Sequence, residues 1–313
     1  HRLIRRQRQM CIRDSGIYRA AKTLNKKAYI VIDNPTSSII PLMNTFRDNQ
    51  DYEADMFVNN HEAKEIMDDN TLLVVVDTNK PSITQCEDLL YMAKMIVVLD
   101  HHRQGSDTIR NSVLSYIEPY ASSASEMVAE ILQYFTEGIR IRNVEADSIY
   151  AGIMIDTDNF MQKTGVRTFE AAAFLRRCGA DVTRVRKLFR EDMNDYKARG
   201  ETIRNAELFR GQFAISECPS DYVDSPTVVG AQAANELLNI VGVKASFVLT
   251  EYKGVIYISA RAIDEVNVQI IMERMGGGGH LNMAGCQLET VNMEGARNLL
   301  KSTLTEMQDG GEI

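Results

Sequence analysis

Three absences limit what this 313-residue chain can be. Its five cysteines are odd in number, scattered and without a C-x-x-C pair, which indicates reduced thiols rather than a disulfide framework or a zinc knuckle. It has no apolar run of the roughly 18–20 residues that a membrane helix needs. It also lacks an excess of positive charge, because the formal net charge is −8, and this argues against a broad surface for long nucleic acids. We therefore expect a soluble globular protein.

The order of the predicted elements indicates two α/β domains. The length exceeds what one core comfortably holds. Short apolar strands at 28–32, 55–58, 72–76 and 95–99 alternate with helical stretches, and this βαβ order predicts a mostly parallel, doubly wound sheet. A charged helical stretch at 168–208 follows, and then strands and helices that are typical of a smaller α/β domain.

Acidic and imidazole side chains follow the predicted strands, at the sheet edge where open α/β folds place their chemistry. The candidates are Asp77 after one strand, the triplet Asp100, His101 and His102 at the end of the next, and Asp156 after a helix. Carboxylates suit hard divalent ions, and imidazole on the same ion favours manganese over magnesium. Helix capping or a solvated loop is the alternative for the aspartates, and a hydrogen-bonded turn is the alternative for the histidines.

A run of four glycines, in the stretch GGGGHLNMAG, predicts a second kind of site. One glycine after a helix is a C-cap, which explains Gly276. Four in succession favour a close approach of the backbone to an anion, although capping and turn formation are the alternative. The candidate phosphate ligands are Ser259, Arg261, Asn267 (also a predicted helix N-cap), Gly277, Gly278, Gly279 and His280. A metal site in one domain and a phosphate site in the other predict metal-assisted hydrolysis of a phosphate ester in a cleft.

Several motifs together resemble the DHH/DHHA1 phosphoesterase family. They are VDTNKPS, VVLDHHRQG, GIMIDTDNF, ISAR and NVQIIMERMGGGGH, and the resemblance extends from about Gly16 to the C-terminus. Within the family, the strings resemble the GdpP-type cyclic-di-AMP phosphodiesterases. The resemblance implies a DHH metal-binding catalytic domain at 16–190, a connecting helix at 191–210 and a DHHA1 substrate-binding domain at 211–313.

The resemblance also implies a two-manganese site that linearises cyclic di-AMP to 5′-pApA. Asp77 matches the carboxylate that bridges both ions, and His101 and Asp156 match ligands of the second ion. Asp100 and His102 match catalytic residues, the first a support of the site and the second placed near the phosphate. A cyclic dinucleotide is the implied partner, with cyclic di-GMP left open, and a homodimer through the first domain would suit the family.

The first fifteen residues depart from the family pattern. The family motif H-x-x-x-D-x-D falls, by its spacing, on Leu3, Gln7 and Gln9, and none of these is a good manganese ligand. Asp14 is a substitute candidate with the wrong spacing. The string RQRQMCIRDS resembles a translated sequencing adaptor, so we predict that residues 1–15 are artefactual or disordered and that natural upstream sequence has been lost.

Three functional hypotheses follow. The first is a cyclic-di-AMP phosphodiesterase that binds at most one manganese ion well and hydrolyses poorly as written. The second is a nanoRNase or pAp phosphatase of the same fold, and the third is a cyclic-dinucleotide-binding module without catalysis. The resemblance implies a cytoplasmic location, with longer relatives anchored in the membrane and their catalytic part facing the cytoplasm.

Overall fold

A computed structural model describes residues 2–33, 35, 39–190, 192–263 and 266–313, with the backbone alone for residues 2–12. The chain divides into two compact units, Arg2–Arg190 and Glu191–Ile313. In the part of the chain that the structure describes, the helices include no candidate for a membrane-spanning segment.

The first unit is a parallel α/β structure, as predicted. Its helices are α1 (Arg2–Thr23), α2 (Ile40–Arg47), α3 (Asn60–Ile66), α4 (Asp88–Met92), α5 (Ala124–Phe135), α6 (Asn143–Asp156), α7 (Val166–Arg177) and α8 (Val182–Leu188). Its strands are β1 (Ile30–Val31), β2 (Phe57–Val58), β3 (Leu72–Val76), β4 (Met95–Asp100) and β5 (Leu114–Ile117), and a 3-10 turn spans Pro81–Ile83. Strands β3, β4 and β5 pair in parallel in that order, and β1 and β2 form a separate parallel pair.

One apolar core fixes the ends of the two strands that carry the candidate ligands. Val76 and Leu99, the last apolar residues of β3 and β4, are buried in the same cluster as the facing side chains of α1, α5 and α6. The register pairs Val76 with Leu99, so the residues that follow them emerge side by side. Hydrophobic burial therefore sets the position of Asp77 and Asp100.

The second unit contains a mixed sheet with helices. Its helices are α9 (Met193–Arg204), α10 (Pro226–Leu237), α11 (Val268–Arg274) and α12 (Met293–Asp309). Its strands are β6 (Glu207–Phe209), β7 (Phe213–Cys218), β8 (Ala245–Tyr252), β9 (Val255–Ala262), β10 (Gly278–His280) and β11 (Met283–Leu288). The order across the sheet is β10-β11-β9-β8-β7-β6, and β7 and β8 pair in parallel while the other neighbours are antiparallel.

The stretch at 168–208 differs from the single helical run that its composition predicts. It contains most of α7, then α8, α9 and the start of β6. Gly179 interrupts the first helix with a φ of +100°, and the side chain of Asp181 then accepts a hydrogen bond from the Arg184 N–H to begin the next. Asp192 caps α9 in the same way. Local capping chemistry, which a count of helix-forming residues overlooks, divides the run.

The backbone of residues 2–15 belongs to α1. The side chains of Leu3, Gln7 and Gln9 lie outside the described part of the chain. Arg13 and Ser15 are fully buried, so α1 packs against protein at these two positions. The artefactual origin of the segment stays a prediction.

The glycine run after α11 is shaped by the chain's own backbone. Gly276 has a φ of +83°, which suits a glycine at the end of a helix. A Cβ on Gly277 would lie 2.2 Å from the carbonyl oxygen of Gly285, and one on Gly279 would lie 2.4 Å from a Cα of β11. A Cβ on Gly278 would meet nothing within 4 Å. Three of the four glycines thus have a steric reason within the fold, and Gly278 has an open side.

We predict that Gly277→Ala lowers the free energy of unfolding by about 1–3 kcal/mol, because the added methyl group has no room beside β11. Gly278→Ala is the matched control and should change it by less than about 0.5 kcal/mol. Thermal unfolding followed by far-UV circular dichroism measures both, since the chain has no tryptophan to serve as a fluorescence probe. Equal stability of the two variants would contradict the steric account.

Candidate metal centre

Asp77 occupies a strained position at the end of β3. Its φ is +66°, in the left-handed region that aspartate tolerates better than most residues. Its N–H donates to Leu99 O at 2.8 Å, which ties the turn to β4, and the residue is 3% exposed. Strain of this kind persists where the surrounding structure holds it and is common at functional sites.

His101 directs one ring nitrogen at Asp77. Its Nε2 lies 3.2 Å from Asp77 Oδ1, and its Nδ1 lies 3.4 Å from Ala121 O. With its Nδ1 proton donated to this carbonyl, the ring donates from a protonated Nε2 to Asp77, and once that proton is lost the Nε2 lone pair is available to a cation at the same place. Burial acts to lower the pKa of His101, but the hydrogen bond to Asp77 and the charge of Asp156 outweigh burial and raise it. A positive charge is therefore favoured between His101 Nε2 and Asp77 Oδ1.

Asp100 supports the second histidine from behind. Its Oδ1 accepts from the His102 ring nitrogen Nδ1 at 2.6 Å, and its Oδ2 accepts from Asn79 Nδ2 at 2.6 Å. Asn79 Nδ2 also donates to His102 O at 3.2 Å. Asp100 is fully buried, so these contacts fix the orientation of the His102 ring and leave its Nε2 for a ligand.

Asp156 is the last residue of α6, and its charge acts on His101, but its oxygens are not among the three described ligand atoms that lie within 4.8 Å of one another. Burial, reinforced by the nearby charge of Asp77, raises its pKa to about 6. The chain turns sharply just beyond it, because Asp158, Asn159 and Phe160 all have a positive φ of 48–67°. Three consecutive left-handed residues hold this loop in a conformation that the helix alone would not produce.

Arg13 supplies the one fully buried guanidinium that the described residues bring to this cluster. Its Nη2 lies 2.7 Å from Asp77 Oδ2. Burial alone would raise the pKa of Asp77, but the Arg13 cation and the hydrogen bond from His101 outweigh it and hold the pKa below its usual range. Burial also raises the pKa of the neighbouring Asp14 to about 7, with Arg13 opposing the rise and Asp77 adding to it.

The donor set fits one divalent ion on the histidine side of Asp77. Asp77, His101 and His102 each offer a ligand atom within 4.8 Å of the other two. Oxygen and nitrogen ligands about 2.1 Å from one metal ion are separated by about 3–4 Å from each other, and the 3.2 Å between His101 Nε2 and Asp77 Oδ1 falls in this range. The other carboxylate oxygen faces Arg13, and Asp14 is the one described side chain of α1 that carries a carboxylate or an imidazole.

The candidate phosphate ligands of the second unit lie on one face of its sheet. Directly paired residues of antiparallel strands point to the same face. The two neighbouring rows across β9, β11 and β10 are Arg261–Met283–His280 and Ser259–Gly285–Gly278. The open side of Gly278 thus belongs to the same surface as the three polar candidates Ser259, Arg261 and His280.

The guanidinium of Arg261 is oriented by its own surroundings. Its Nε donates to Asn235 Oδ1 of α10 at 2.9 Å and its Nη1 to Ala260 O at 2.8 Å. Asn267 has a separate structural use, because it caps α11 by accepting from the Gln269 N–H at 3.0 Å. A side chain that is positioned before a ligand arrives loses little further conformational entropy on binding.

Three residues of these sites were not singled out by the sequence. Asn79 follows Asp77 by two positions in a quoted motif, so its closeness to the site could have indicated a role. Arg13 lies in the segment predicted to be foreign, and Asn235 is 26 residues from Arg261 with no pattern that connects them. The structure alone brings the last two to their partners.

Both units match known domain families. Residues 15–153 match the DHH family, N-terminal domain, and residues 213–306 match the DHHA1 domain. The chain belongs to the DHH/DHHA1 family, which confirms the predicted resemblance.

Within this family, the chain is similar to two curated cyclic-di-AMP phosphodiesterases. It is 41% identical over 302 residues to GdpP of Bacillus subtilis and 38% identical over 292 residues to PdeA of Listeria monocytogenes. The alignments cover 95% and 92% of this chain but 45% and 44% of those proteins, so the chain spans less than half of their length. The bifunctional oligoribonuclease and PAP phosphatase NrnA of Thermus thermophilus is 24% identical over 306 residues, with 95% of this chain and 86% of that protein covered.

Solved structures share the fold. An exopolyphosphatase-related protein from Bacteroides fragilis has a TM-score of 0.80 at 20% identity, covering 96% of this chain and 89% of that chain. The exonuclease RecJ bound to manganese has a TM-score of 0.50 at 12% identity, covering 92% and 85%. A protein of this fold thus binds manganese.

We predict that Asn79→Ala destabilises the first unit by about 2 kcal/mol, because it leaves an oxygen of the buried Asp100 carboxylate without its donor. Asn111→Ala is the matched control, since Asn111 Nδ2 donates at 3.1 Å to a neutral acceptor of the same unit, Leu90 O. Removing this hydrogen bond should lower the free energy of unfolding by about 1 kcal/mol. Urea unfolding followed by circular dichroism gives both values. A smaller loss for Asn79→Ala than for the control would contradict the assigned support of Asp100.

Proposed function

We propose that this chain is a metal-dependent phosphodiesterase module that hydrolyses cyclic di-AMP to 5′-pApA. The observation that carries the proposal is the convergence of Asp77, His101 and His102, with ligand atoms within 4.8 Å of one another, in a member of the DHH/DHHA1 family. The similarity to two cyclic-di-AMP phosphodiesterases, at 41% and 38% identity, supports the substrate.

Manganese is the metal that we propose for this centre. The mixed carboxylate and imidazole donors favour it over magnesium, and RecJ, of the same fold, is bound to manganese. When bound, such a cation neutralises the charge of a phosphodiester and makes water a stronger nucleophile. Asp77 Oδ1 and His101 Nε2 are the proposed ligands, together with Asp156, whose charge acts on both residues.

The remaining residues of the first unit act on the substrate. Asp100 holds Nδ1 of His102, and this leaves Nε2 to face the scissile phosphate. In the proposed reaction a water molecule gives up a proton to the solvent as its oxygen forms a bond to phosphorus, and the bond to the ribose 3′ oxygen breaks. We assign to His102 Nε2 the proton that the leaving 3′ oxygen takes up.

The second unit provides the proposed binding site for the nucleotide phosphates. The oriented guanidinium of Arg261 suits a phosphate oxygen, and Ser259 and His280 add donors on the same face of the sheet. Gly278 is the glycine of the run whose open side lets a ligand approach the backbone closely. We propose that this face binds the phosphates of the cyclic dinucleotide.

The chain as written is proposed to hydrolyse slowly. The family motif falls on Leu3, Gln7 and Gln9, which carry no carboxylate or imidazole. The resemblance gives these positions most of the ligands of the first ion. The reaction is further assigned to the cytoplasm, where the thiols of Cys86, Cys178, Cys218 and Cys286, all free in this structure, would stay reduced.

The second candidate is a nanoRNase or pAp phosphatase. Its support is the similarity to NrnA, which covers 95% of this chain at 24% identity. Rates on cyclic di-AMP, cyclic di-GMP, linear pApA and pAp decide between the two, because the proposed enzyme prefers a cyclic substrate. Faster hydrolysis of pApA or pAp would favour the second candidate.

We predict that His101→Ala lowers the rate of manganese-dependent hydrolysis of cyclic di-AMP by about 100-fold, since it removes a proposed metal ligand. His61→Ala is the matched control, because His61 is an exposed histidine of α3 and should leave the rate unchanged. Anion-exchange chromatography of the products measures the rate of 5′-pApA formation. A rate that falls equally in both variants, or in neither, would contradict the assignment of His101.

The same assay tests the first motif. A chain with Leu3→His, Gln7→Asp and Gln9→Asp should hydrolyse cyclic di-AMP at least about 10-fold faster than the chain as written, because carboxylates and imidazole restore metal ligands. Binding of the dinucleotide by the restored chain without any hydrolysis would instead favour a non-catalytic binding module.

A further inference from the structure

We propose that the Arg13 guanidinium is the resident cation of Asp77, and that it takes the position of one of the two metal ions and competes with divalent metal for this carboxylate. This inference rests on the proposed metal function of Asp77. It concerns a residue that the resemblance to the family does not include. It makes the centre one that holds a single divalent ion beside a fixed organic cation.

The contacts divide the two oxygens of Asp77 between two partners. Arg13 Nη2 lies 2.7 Å from Oδ2, and His101 Nε2 lies 3.2 Å from Oδ1. A carboxylate that bridges two metal ions gives one oxygen to each. Here the oxygen on the side of His101 is left for a metal ion, and the other already has a positive partner.

Helix α1 is held so that Arg13 has little freedom to leave. A Cβ on Gly16 would lie 2.4 Å from Val128 Cγ1, so α1 and α5 are in close contact one turn beyond Arg13. One turn further, Arg19 forms a bidentate ion pair with the buried Glu145 of α6, at 2.7–2.9 Å. These contacts fix both the depth and the rotation of the helix.

The negative charge of the buried Asp77 carboxylate explains why a cation, Arg13, lies beside its Oδ2. A buried carboxylate is strongly destabilised unless a positive charge or several donors compensate it. Arg13 is itself 0% exposed, and its Nε and Nη1 have no hydrogen-bond partner among the described residues. In the metal-free chain the Asp77 carboxylate therefore needs the Arg13 cation, although two nitrogens of that guanidinium lack hydrogen-bond acceptors. A divalent ion competes with Arg13 for the negative charge of Asp77.

The Arg13 guanidinium and a divalent ion interact with the same carboxylate, so the presence of one lowers the affinity of Asp77 for the other. Couplings of this type commonly change an affinity by about 5–150-fold. We expect Arg13→Gln to bind Mn²⁺ about 10-fold or more tightly than the chain as written. Arg13→Lys keeps the positive charge and should bind Mn²⁺ as weakly as the parent chain.

The experiment is a titration of each purified chain with MnCl₂, in which the electron paramagnetic resonance signal of free Mn²⁺ reports the unbound metal. No nucleotide is present, so the result is independent of activity. Arg184→Gln is the matched control, because it removes the guanidinium that pairs with Asp147, another buried aspartate of the first unit, rather than the one that pairs with Asp77, and it should leave the Mn²⁺ affinity unchanged. Arg13→Gln combined with Asp77→Asn should abolish the gain.

Thermal unfolding provides a second measurement. In metal-free buffer Arg13→Gln should unfold at a lower temperature than the parent chain, and Mn²⁺ should raise its Tm more than that of the parent. Equal Mn²⁺ affinity of Arg13→Gln and the parent chain would overturn the role of Arg13 and leave the proposed metal function intact. If neither chain, nor Arg13→Lys, binds Mn²⁺, both proposals fail together.

Discussion

The buried carboxylate of Asp77 is the charge on which the site of the first unit depends. It lies beyond the end of β3 in a left-handed backbone conformation, 3% exposed, and each of its oxygens faces a different positive or protonatable partner. A charge in such surroundings needs compensation, and the fold supplies it from α1 on one side and from the loop after β4 on the other. Burial raises the pKa of Asp156 and the charge of Asp77 adds to the rise, whereas at His101 the hydrogen bond to Asp77 helps to outweigh burial, which acts to lower the pKa.

The two units contribute different chemistry by the same physical means. In the first, an apolar core fixes the ends of β3 and β4, so that residues adjacent in space carry carboxylates and imidazoles. In the second, strand register aligns Ser259, Arg261 and His280 on one face, and a contact with Asn235 orients the arginine before any ligand binds. Both units are therefore preorganised by backbone structure. This agrees with the chain's membership of the DHH/DHHA1 family.

The sequence predicted the parts that depend on short-range pattern. The apolar runs at 72–76 and 95–99 are strands that end in the predicted residues, because β-branched residues in short runs have few alternatives in a parallel sheet. It did not predict β5 or β10, which are short and, for β10, rich in glycine. Nor could the sequence distinguish Gly277 and Gly279, where a Cβ would clash with the backbone of β11, from Gly278, where it would meet nothing within 4 Å, because the difference depends on how closely β11 packs. The role of Arg13 depends on a contact across 64 positions of sequence, and no local signal reports such a contact.

Anomalous scattering of manganese, from crystals of this chain grown with MnCl₂, would locate every bound ion around Asp77. We expect a single anomalous peak next to Asp77 Oδ1 and His101 Nε2, with Arg13 still beside Oδ2. A crystal with no peak at these atoms would contradict the metal centre itself. Two peaks that flank Asp77, with the Arg13 side chain displaced, would contradict the claim that an arginine takes the position of the second ion.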